Sequence, residues 1–223
     1  MEPLLPREID DHLTDLAAAQ HHDQVLSEME TRAAELDFPI VGRAAGRFLE
    51  LQARAISARR VMELGSGYGY SAYWFTRAVG QHGEVVCTDG DPDNARLAES
   101  YLRRAGVWDN VDYHVGDALE AFAGVEGDFD VVYCDIDKDG YPAAWASAAE
   151  RIRVGGLFLC DNVLWNGRVA GLAPAGEDSR QTQARDRVTT AITQMTRAVA
   201  VDHRYVSAIA PIRDSILVTL RVD

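Results

Sequence analysis

Short apolar runs alternate along this chain with longer segments in which apolar residues recur at helical spacing. The short runs are typical of buried strands, and the longer periodic segments are typical of helices. The predicted strands cover 60–64, 84–89, 111–115, 129–135 and 157–161, followed by two alternating runs at 203–209 and 215–221. The predicted helices cover 8–20, 22–36, 42–58, 70–80, a segment that starts at Pro92, roughly 140–153, and 181–199. Strands that alternate with helices predict an α/β fold with a mostly parallel, doubly wound sheet covered by helices on both faces.

Glycine and proline mark several of these boundaries. Pro92 stands where the first turn of a helix favours proline. Gly155 and Gly156 are predicted to end the helix over 140–153 and so to precede the strand at 157–161. The two runs at the end of the sequence alternate apolar and polar residues, which predicts an antiparallel pair.

Length and composition fit one globular domain. The chain has 223 residues, of which 47% are hydrophobic and 26% are charged. We expect a single domain over 1–223, with 1–58 as an N-terminal helical cap and 59–223 as the sheet core. No apolar run approaches the ~20 residues that span a bilayer, and the N-terminus lacks the basic and apolar regions of a signal peptide. These features predict a cytoplasmic protein without a membrane segment.

Cysteine usage and net charge indicate the redox compartment and the kind of binding partner. Cys87, Cys134 and Cys160 are odd in number, and each lies in a predicted strand. Buried free thiols in a reducing compartment are therefore expected rather than disulfides. The formal net charge of −13 argues weakly against a long nucleic-acid interface, which normally carries a basic patch.

A glycine-rich loop follows the first predicted strand. Gly65, Gly67 and Gly69 alternate with other residues, and such glycines let the backbone turn tightly and approach a ligand. Tyr70 stands where the dinucleotide-binding pattern G-x-G-x-x-G needs its last glycine. Glu63 before the loop suits a cationic or hydroxyl-rich ligand better than a pyrophosphate. The structural alternative is an ordinary tight turn.

Acidic residues end the second and third predicted strands. In an open α/β sheet, ligands bind beyond the carboxyl ends of the strands. Asp89 lies where an acid accepts hydrogen bonds from ribose hydroxyls, and Asp117 is positioned to border an adenine on the same rim. The structural alternative for Asp117 is a helix N-cap.

Asp135 ends the fourth predicted strand, and Asp161 with Asn162 ends the fifth. Adjacent parallel strands lie about 4.8 Å apart, so these side chains can converge. Two carboxylates and an amide oxygen form a ligand set for a hard divalent cation such as Mg²⁺. The alternative is a polar turn after a strand. Five of the six histidines, His12, His21, His22, His82 and His114, lack ligand-like spacing to one another. The adjacent pair, His21 and His22, is interpreted as a solvated helix face.

All but one of the 22 Lys and Arg side chains are arginines, and the exception is Lys138. Arginine stays protonated, whereas a lysine can lose its proton when it is buried or lies near another cation. Lys138 is therefore a candidate proton acceptor. Its neighbours Asp137 and Asp139 favour the protonated form, so the net pKa shift is not predicted. The alternative is a solvated ion pair, with codon bias behind the excess of arginine.

Several segments together resemble one family, the cation-dependent O-methyltransferases of the catechol and caffeoyl-coenzyme A type, which use S-adenosylmethionine. The matching segments are VMELGSGYGYSA, the acid in VVCTDGDPDNA, VGDALEAF, FDVVYCDIDKDGY and GGLFLCDNVLWNGRVAG. They extend over roughly 38–171, and the final PIRDSILVTLRV resembles the family's last hairpin. The resemblance implies a Rossmann-like, seven-stranded sheet with an antiparallel strand near the C-terminus and additional N-terminal helices.

The resemblance also implies roles for individual residues. Asp135, Asp161 and Asn162 would hold Mg²⁺, or Mn²⁺ or Ca²⁺ in its place, and Lys138 would be the catalytic base. Trp165 is equally compatible with a wall of the acceptor pocket and with a core or lid aromatic. The residues that would contact the methyl donor are Val41, Glu63, Gly65, Gly67, Ser71, Asp89, Asp117, Ala118 and Asp135.

Two segments depart from the family pattern. Arg213-Asp214-Ser215 replaces a more usual turn that contains glycine, and the insert at 172–180 has no clear counterpart. Both are expected near the acceptor pocket, so the resemblance leaves the identity of the acceptor open. The helices at about 8–36 are expected to cover the acceptor side and to help form a homodimer, as bacterial members of the family suggest.

Three functional hypotheses follow. The favoured one is metal-dependent methyl transfer from S-adenosylmethionine to a hydroxyl of a small catechol-like acceptor. The second is methylation of a hydroxylated base in tRNA by the same fold, against which the charge of −13 counts. The third is a nucleotide-binding module without catalysis, or a dehydrogenase, and neither requires the carboxylates and Lys138.

Overall fold

The computed structural model of the protein describes residues 5–20, 23–172 and 179–223, with backbone only at 179–185. The helices are α1 (Arg7–Gln20), α2 (Gln24–Leu36), α3 (Gly42–Ala55), α4 (Tyr70–Val79), α5 (Pro92–Arg104), α6 (Ala118–Gly124), α7 (Tyr141–Ala148) and α8 (Ser179–Val201). The strands are β1 (Arg60–Leu64), β2 (Glu84–Asp89), β3 (Val111–Val115), β4 (Phe129–Cys134), β5 (Ile152–Asp161), β6 (Tyr205–Ala210) and β7 (Ile216–Arg221).

The strands form one seven-stranded sheet in the order β3-β2-β1-β4-β5-β7-β6. β7 is antiparallel to both of its neighbours, and the other pairs are parallel. This confirms the predicted fold class. The strand order reverses direction between β1 and β4, and ligands of open α/β sheets bind at the carboxyl ends next to such a reversal.

Both faces of the sheet are buried at its central strands. Neighbouring residues along a strand point to opposite faces, so Val61 packs into one core cluster and Met62 into the other. Val131 likewise packs into the first cluster and Val132 into the second. All four side chains are inaccessible to solvent. Helices α2 to α5 cover the first face, and α6 to α8 cover the second. The continuous apolar runs of the sequence arise because the central strands are covered on both sides.

The chain between α7 and β5 differs from the prediction. The helix expected over 140–153 ends at the end of α7, and β5 begins before the glycine pair, so the predicted helix was too long. Gly155 has a φ of 77°, and a Cβ at Gly156 would lie 2.8 Å from the backbone oxygen of Asp130. The glycines therefore form an irregularity inside β5, where its register with β4 shifts. A glycine pair is typical of a helix end and of a strand bulge, and the close backbone of β4 decides between them.

One helix was not predicted. α6 follows β3 directly, and Asp117 is its N-cap, with its side-chain oxygen accepting from the backbone nitrogens of Leu119 and Glu120 at 2.9 Å each. So short a helix contains too few apolar positions to show a period, and the capping residue was the available signal. α3 also ends at Ala55, before the predicted position 58. Ser57, just after that end, has a positive φ of 54°.

The three cysteines are free and buried, as predicted. Each lies on a strand of the sheet interior, so none is close to solvent. Within the described ranges, the helices lack the combination of length and apolar character that crossing a membrane requires.

Candidate active site

A large cleft opens at the carboxyl ends of β1, β2, β4 and β5. Its volume is about 1380 Å³, and it extends from the glycine loop after β1 to the turn between β6 and β7. The predicted site residues that line it are Val41, Gly65, Gly67, Ser71, Asp89, Asp117, Ala118, Asp135, Lys138, Asp161, Asn162 and Trp165. Glu63 does not line it. The fold therefore brings every predicted site residue except Glu63 to one cavity.

The glycine loop is held between β2 and β4. Gly65 has a φ of 87°, and a Cβ there would lie 2.5 Å from the backbone oxygen of Asp135, so a larger residue would collide with β4. The nitrogen of Gly65 donates to Thr88 Oγ1 at 3.2 Å, and the hydroxyl of Tyr113 donates to the oxygen of Gly67 at 2.5 Å. Thr88 and Tyr113 were not predicted from the sequence, because only the sheet order places them beside the loop.

Asp89 both shapes this loop and faces the cleft. Its Oδ2 accepts from the nitrogen of Gly67 at 3.0 Å. Its Oδ1 accepts from the nitrogen of Asp91 at 2.8 Å and from Asn94 Nδ2 at 3.0 Å. Replacing Asp89 would therefore affect the loop as well as any ligand that contacts the carboxylate.

Glu63 lies behind the glycine loop and is fully buried. Its Oε1 has no hydrogen-bond partner among the described residues, and its Oε2 accepts weakly from Cys87 Sγ at 3.5 Å. Burial raises the pKa of Glu63 to about 7, although the nearby side chains of Ser71 and Ser66 act in the opposite direction. The predicted contact between Glu63 and the donor stays a prediction.

The N-terminal helices form the wall opposite the strand ends. α2 contributes Glu30, Ala33 and Ala34 to the lining, and the linker over 37–41 continues it. Phe38 closes over the glycine loop, because its ring lies 3.2 Å from where a Cβ on Gly67 would be. This segment therefore bounds the cleft over the glycine loop, and the predicted cover of the acceptor side by the helices at about 8–36 stays a prediction.

Asp135 and Asp161 follow paired positions of neighbouring strands, since Cys134 of β4 pairs with Cys160 of β5. Asp161 is 2% exposed. Burial and the nearby charge of Asp135 together raise the pKa of Asp161 to about 7. The hydroxyl of Tyr141 donates to the backbone oxygen of Asp161 at 2.8 Å and so holds this strand end in place. The cavity therefore contains two carboxylates that disfavour each other's charge.

This arrangement fits a hard cation. A buried and a partly buried carboxylate that repel each other are stabilised when a divalent cation binds between them, and an amide oxygen completes a set that Mg²⁺ accepts. Asn162 follows directly with a φ of 56°, a conformation that asparagine tolerates. In the part of the chain that the structure describes, no three His, Cys, Asp or Glu side chains are grouped as a metal site. The candidate site thus rests on two carboxylates and an amide.

Lys138 lies beside these carboxylates, with 15% of its side chain exposed. Its Nζ donates to Asp135 Oδ1 at 2.9 Å and lies 5.5 Å from the centre of the Tyr141 ring. Burial lowers the pKa of Lys138, but the charge and hydrogen bond of Asp135, with a contribution from Asp161, outweigh it and raise the pKa above its ordinary value. The carboxylates that act on Lys138 thus come from two strand ends.

The turn between β6 and β7 holds the loop that follows β5. Asp214 Oδ1 accepts from the nitrogen of Asn166 at 2.6 Å, and Ser215 Oγ accepts from the nitrogen of Leu164 at 2.9 Å. The oxygen of Ser215 also accepts from the nitrogen of Asn162 at 2.9 Å. Sequence analysis noted this turn only as a departure from the family pattern. The structure gives it a role in positioning a predicted metal ligand.

Two further segments concern the acceptor side. Trp165 lines the cleft and also packs against the core cluster of the second face, so both interpretations of this residue retain support. Its Nε1 is buried without a hydrogen-bond partner among the described residues. Arg213 lines the cleft, whereas residues 173–178 of the predicted insert lie outside the described residues.

The chain is similar along most of its length to proteins of one family. A family model described as O-methyltransferase matches residues 15–222. A catechol O-methyltransferase from Mycobacterium tuberculosis is 38% identical over 154 residues, which cover 69% of this chain and 69% of that protein. Caffeoyl-CoA O-methyltransferase 1 from Eucalyptus globulus is 28% identical over 219 residues, covering 95% and 87% respectively. The crystal structure of an O-methyltransferase from Streptomyces achromogenes involved in tomaymycin synthesis, in complex with S-adenosylmethionine, has a TM-score of 0.81 and 25% identity, covering 99% of this chain and 100% of that one.

Proposed function

This chain belongs to the O-methyltransferase family, and we propose that it methylates one hydroxyl of a small aromatic acceptor that carries two neighbouring hydroxyls, with the help of a divalent cation. It is an S-adenosylmethionine-dependent O-methyltransferase of the caffeoyl-CoA and catechol type. The observation that carries the proposal is the position of Asp135, Asp161 and Asn162 in the same cleft as the glycine loop. Those three side chains are proposed to hold the cation.

The chemistry explains why such a site is useful. A phenol with a pKa near ~10 is a poor nucleophile at neutral pH, and a bound divalent cation lowers the pKa of two neighbouring hydroxyls and fixes their direction. Lys138 Nζ is proposed to accept the proton of the attacking hydroxyl in its neutral form, which the charge of a bound cation nearby would favour against the effect of Asp135. Asp89 is proposed to accept hydrogen bonds from the donor's ribose, and Gly65 and Gly67 to let its methionine part approach the backbone. Holding both substrates in line supplies much of the rate.

The second hypothesis is methylation of a tRNA base. This hypothesis requires the same fold and the same methyl donor as methylation of a small acceptor, so family membership does not distinguish the two. The net charge of −13 favours the small acceptor, because nucleic-acid interfaces are usually basic. Family membership favours an enzyme over the nucleotide-binding module and the dehydrogenase.

A screen with a labelled methyl donor tests the proposal. Purified protein with Mg²⁺ is incubated with catechols, flavonoids and unmodified tRNA, and label is measured in each product. We expect label in acceptors with two neighbouring hydroxyls and none in matched phenols that carry only one. Label that enters tRNA alone would overturn the proposal in favour of the second hypothesis.

Asp89→Ala should weaken the binding of S-adenosylmethionine by roughly 1–3 kcal/mol, the cost of leaving hydroxyl partners unpaired. Calorimetry measures the loss, and Asp91→Ala is the matched control, because this neighbouring acid caps α5 through the nitrogen of Asp93. A donor analogue without ribose hydroxyls separates direct contact from a disturbed glycine loop. If Asp89 binds the ribose, the variant should bind this analogue nearly as well as the wild type does. Unchanged affinity for the natural donor would remove Asp89 from the site.

A homodimer is proposed from the surface of α1. Ile9, Leu13 and Leu16 recur on this helix at helical spacing and are 47%, 37% and 49% exposed. An apolar stripe of this kind is typical of a buried interface. Light scattering at micromolar concentration should give the mass of two chains, and Leu13→Asp should give the mass of one. A monomeric wild type would contradict the proposal.

A further inference from the structure

Arg213 is a cation in the wall of the cleft that has no partner among the described residues. It belongs to the turn between β6 and β7 and is half-buried. No hydrogen bond or ion pair joins its guanidinium to any residue that the structure describes. Arg43 differs, because it is paired with Glu30 through contacts of 2.7 to 3.0 Å. A half-buried guanidinium with no protein partner is available to an anionic ligand.

The backbone at this position disfavours a side chain. Arg213 has a φ of 53°, a region that glycine enters freely and that costs most other residues free energy. The hydrogen bonds that position the neighbouring loop come from Asp214 and Ser215 and do not involve the side chain of Arg213. The contacts of the turn therefore do not explain an arginine here, and a strained position of this kind is typical of functional sites.

The position of Arg213 indicates the acceptor side. It lines the main cleft and also a branch of about 300 Å³ bounded by Asp10, Thr14 and Ala18 of α1 and by the start of α3. Its Cδ lies 4.0 Å from where a Cβ on Gly42 would be. None of the residues from Gly65 to Ser71 lines this branch. A substituent that reaches it therefore extends away from the glycine loop.

Neither of the acids that border the branch, Asp10 and Glu30, is paired with Arg213. Glu30 is committed to Arg43 and to the hydroxyl of Tyr70, which donates to it at 2.6 Å. Asp10 borders the branch but makes no ion pair with Arg213. The charge of Arg213 also lowers the pKa of Asp135 and of Asp161, against the effect of burial, so its field reaches the proposed metal ligands. A sulfonium donor and a divalent cation would add positive charge beside it.

We infer that Arg213 forms a carboxylate subsite and that the acceptor is a dihydroxy aromatic acid whose carboxylate pairs with the guanidinium. This inference rests on the proposed function and specifies its acceptor class. A planar guanidinium binds a carboxylate through two parallel hydrogen bonds. The same chemistry is present in the carboxylate of the donor's methionine part, and the experiment distinguishes the two sources.

The test compares 3,4-dihydroxybenzoate with its methyl ester, two acceptors that share the catechol ring and differ in charge. Wild-type protein should favour the acid in kcat/KM, and Arg213→Gln and Arg213→Gly should each lower the acid-to-ester ratio by about tenfold, as expected for a lost charged hydrogen bond. The glycine variant relieves the positive φ, which separates charge from backbone strain. Arg197→Gln, which removes an exposed charge on α8, should leave the ratio as in the wild type.

Calorimetry provides a second readout that does not depend on turnover. With S-adenosylhomocysteine present, the acid should bind the wild type more tightly than either Arg213 variant, and the affinity for S-adenosylhomocysteine itself should be the same in all three proteins. An unchanged acid-to-ester ratio in the variants overturns the inference. Loss of S-adenosylhomocysteine affinity with an unchanged ratio assigns Arg213 to the donor and also overturns it. A wild type that methylates no catechol contradicts the proposed function, while the binding comparison still decides the role of Arg213.

Discussion

Removing divalent cations with a chelator should reduce methyl transfer by at least about a hundredfold, and adding Mg²⁺ should restore it. The cation would stabilise the charge of the transition state by several kcal/mol, and each ~1.4 kcal/mol corresponds to a factor of ten in rate. The structural basis is that Asp161 is buried beside Asp135. The negative charges of the two carboxylates repel each other until a cation binds. Turnover of a catechol is measured in excess chelator and again after titration with Mg²⁺. Full activity in excess chelator would contradict the metal assignment.

A pair of variants locates the cation. Asp161→Ala removes a proposed ligand at the carboxyl end of β5, whereas Asp128→Asn removes an exposed acid next to the opposite end of β4. Calorimetric titration with Mn²⁺ should show binding to the wild type and to Asp128→Asn, and a large loss of affinity in Asp161→Ala. Equal affinity in all three proteins would place the cation elsewhere.

Lys138→Arg should lower turnover at least about tenfold, at the lower edge of what a general base contributes. Arginine keeps the positive charge that pairs with Asp135, but it does not lose a proton near neutral pH. Donor and cation should still bind normally, which calorimetry checks. Raising the pH should partly rescue the variant, because more of the acceptor ionises without help.

The competing explanation is that Lys138 supplies only charge. Its contact of 2.9 Å with Asp135 and its raised pKa are what such a role would produce. Lys138→Gln separates the two: a base role predicts that the Arg and Gln variants are both slow, and a charge role predicts that only the Gln variant is slow. Wild-type turnover by Lys138→Arg between pH 6 and 9 would exclude the base role.

The strands were more predictable than the helices that follow them. β1, β2 and β3 begin and end where the sequence pattern places them. β1 and β2 are short, largely apolar runs that a polar or glycine residue follows, and β3 alternates apolar and polar residues before Gly116. The segment over 149–156 was assigned wrongly, because Gly155 and Gly156 fit two local structures equally well. The neighbouring backbone of β4 selects the strand, because a Cβ at Gly156 would lie 2.8 Å from the backbone oxygen of Asp130.

The sequence by itself determined which chemical groups meet at one edge of the sheet. Asp89, Asp135 and Asp161 each follow an apolar strand run, and the carboxyl ends of neighbouring parallel strands lie together. That inference needs only the order of elements along the chain, so it did not depend on side-chain positions. Motif spacing identified the family for the same reason, since it records local order.

The tertiary structure alone decided which of these groups are paired, buried or left without a partner. Lys138 pairs with Asp135 rather than with its sequence neighbours Asp137 and Asp139, which are exposed. Glu63 lies behind the loop instead of in the cleft, and Arg213 faces the cleft without a partner among the described residues. These outcomes depend on distances between side chains far apart in sequence. Charge interaction and desolvation change steeply over a few ångströms, so no local pattern in the chain contains them.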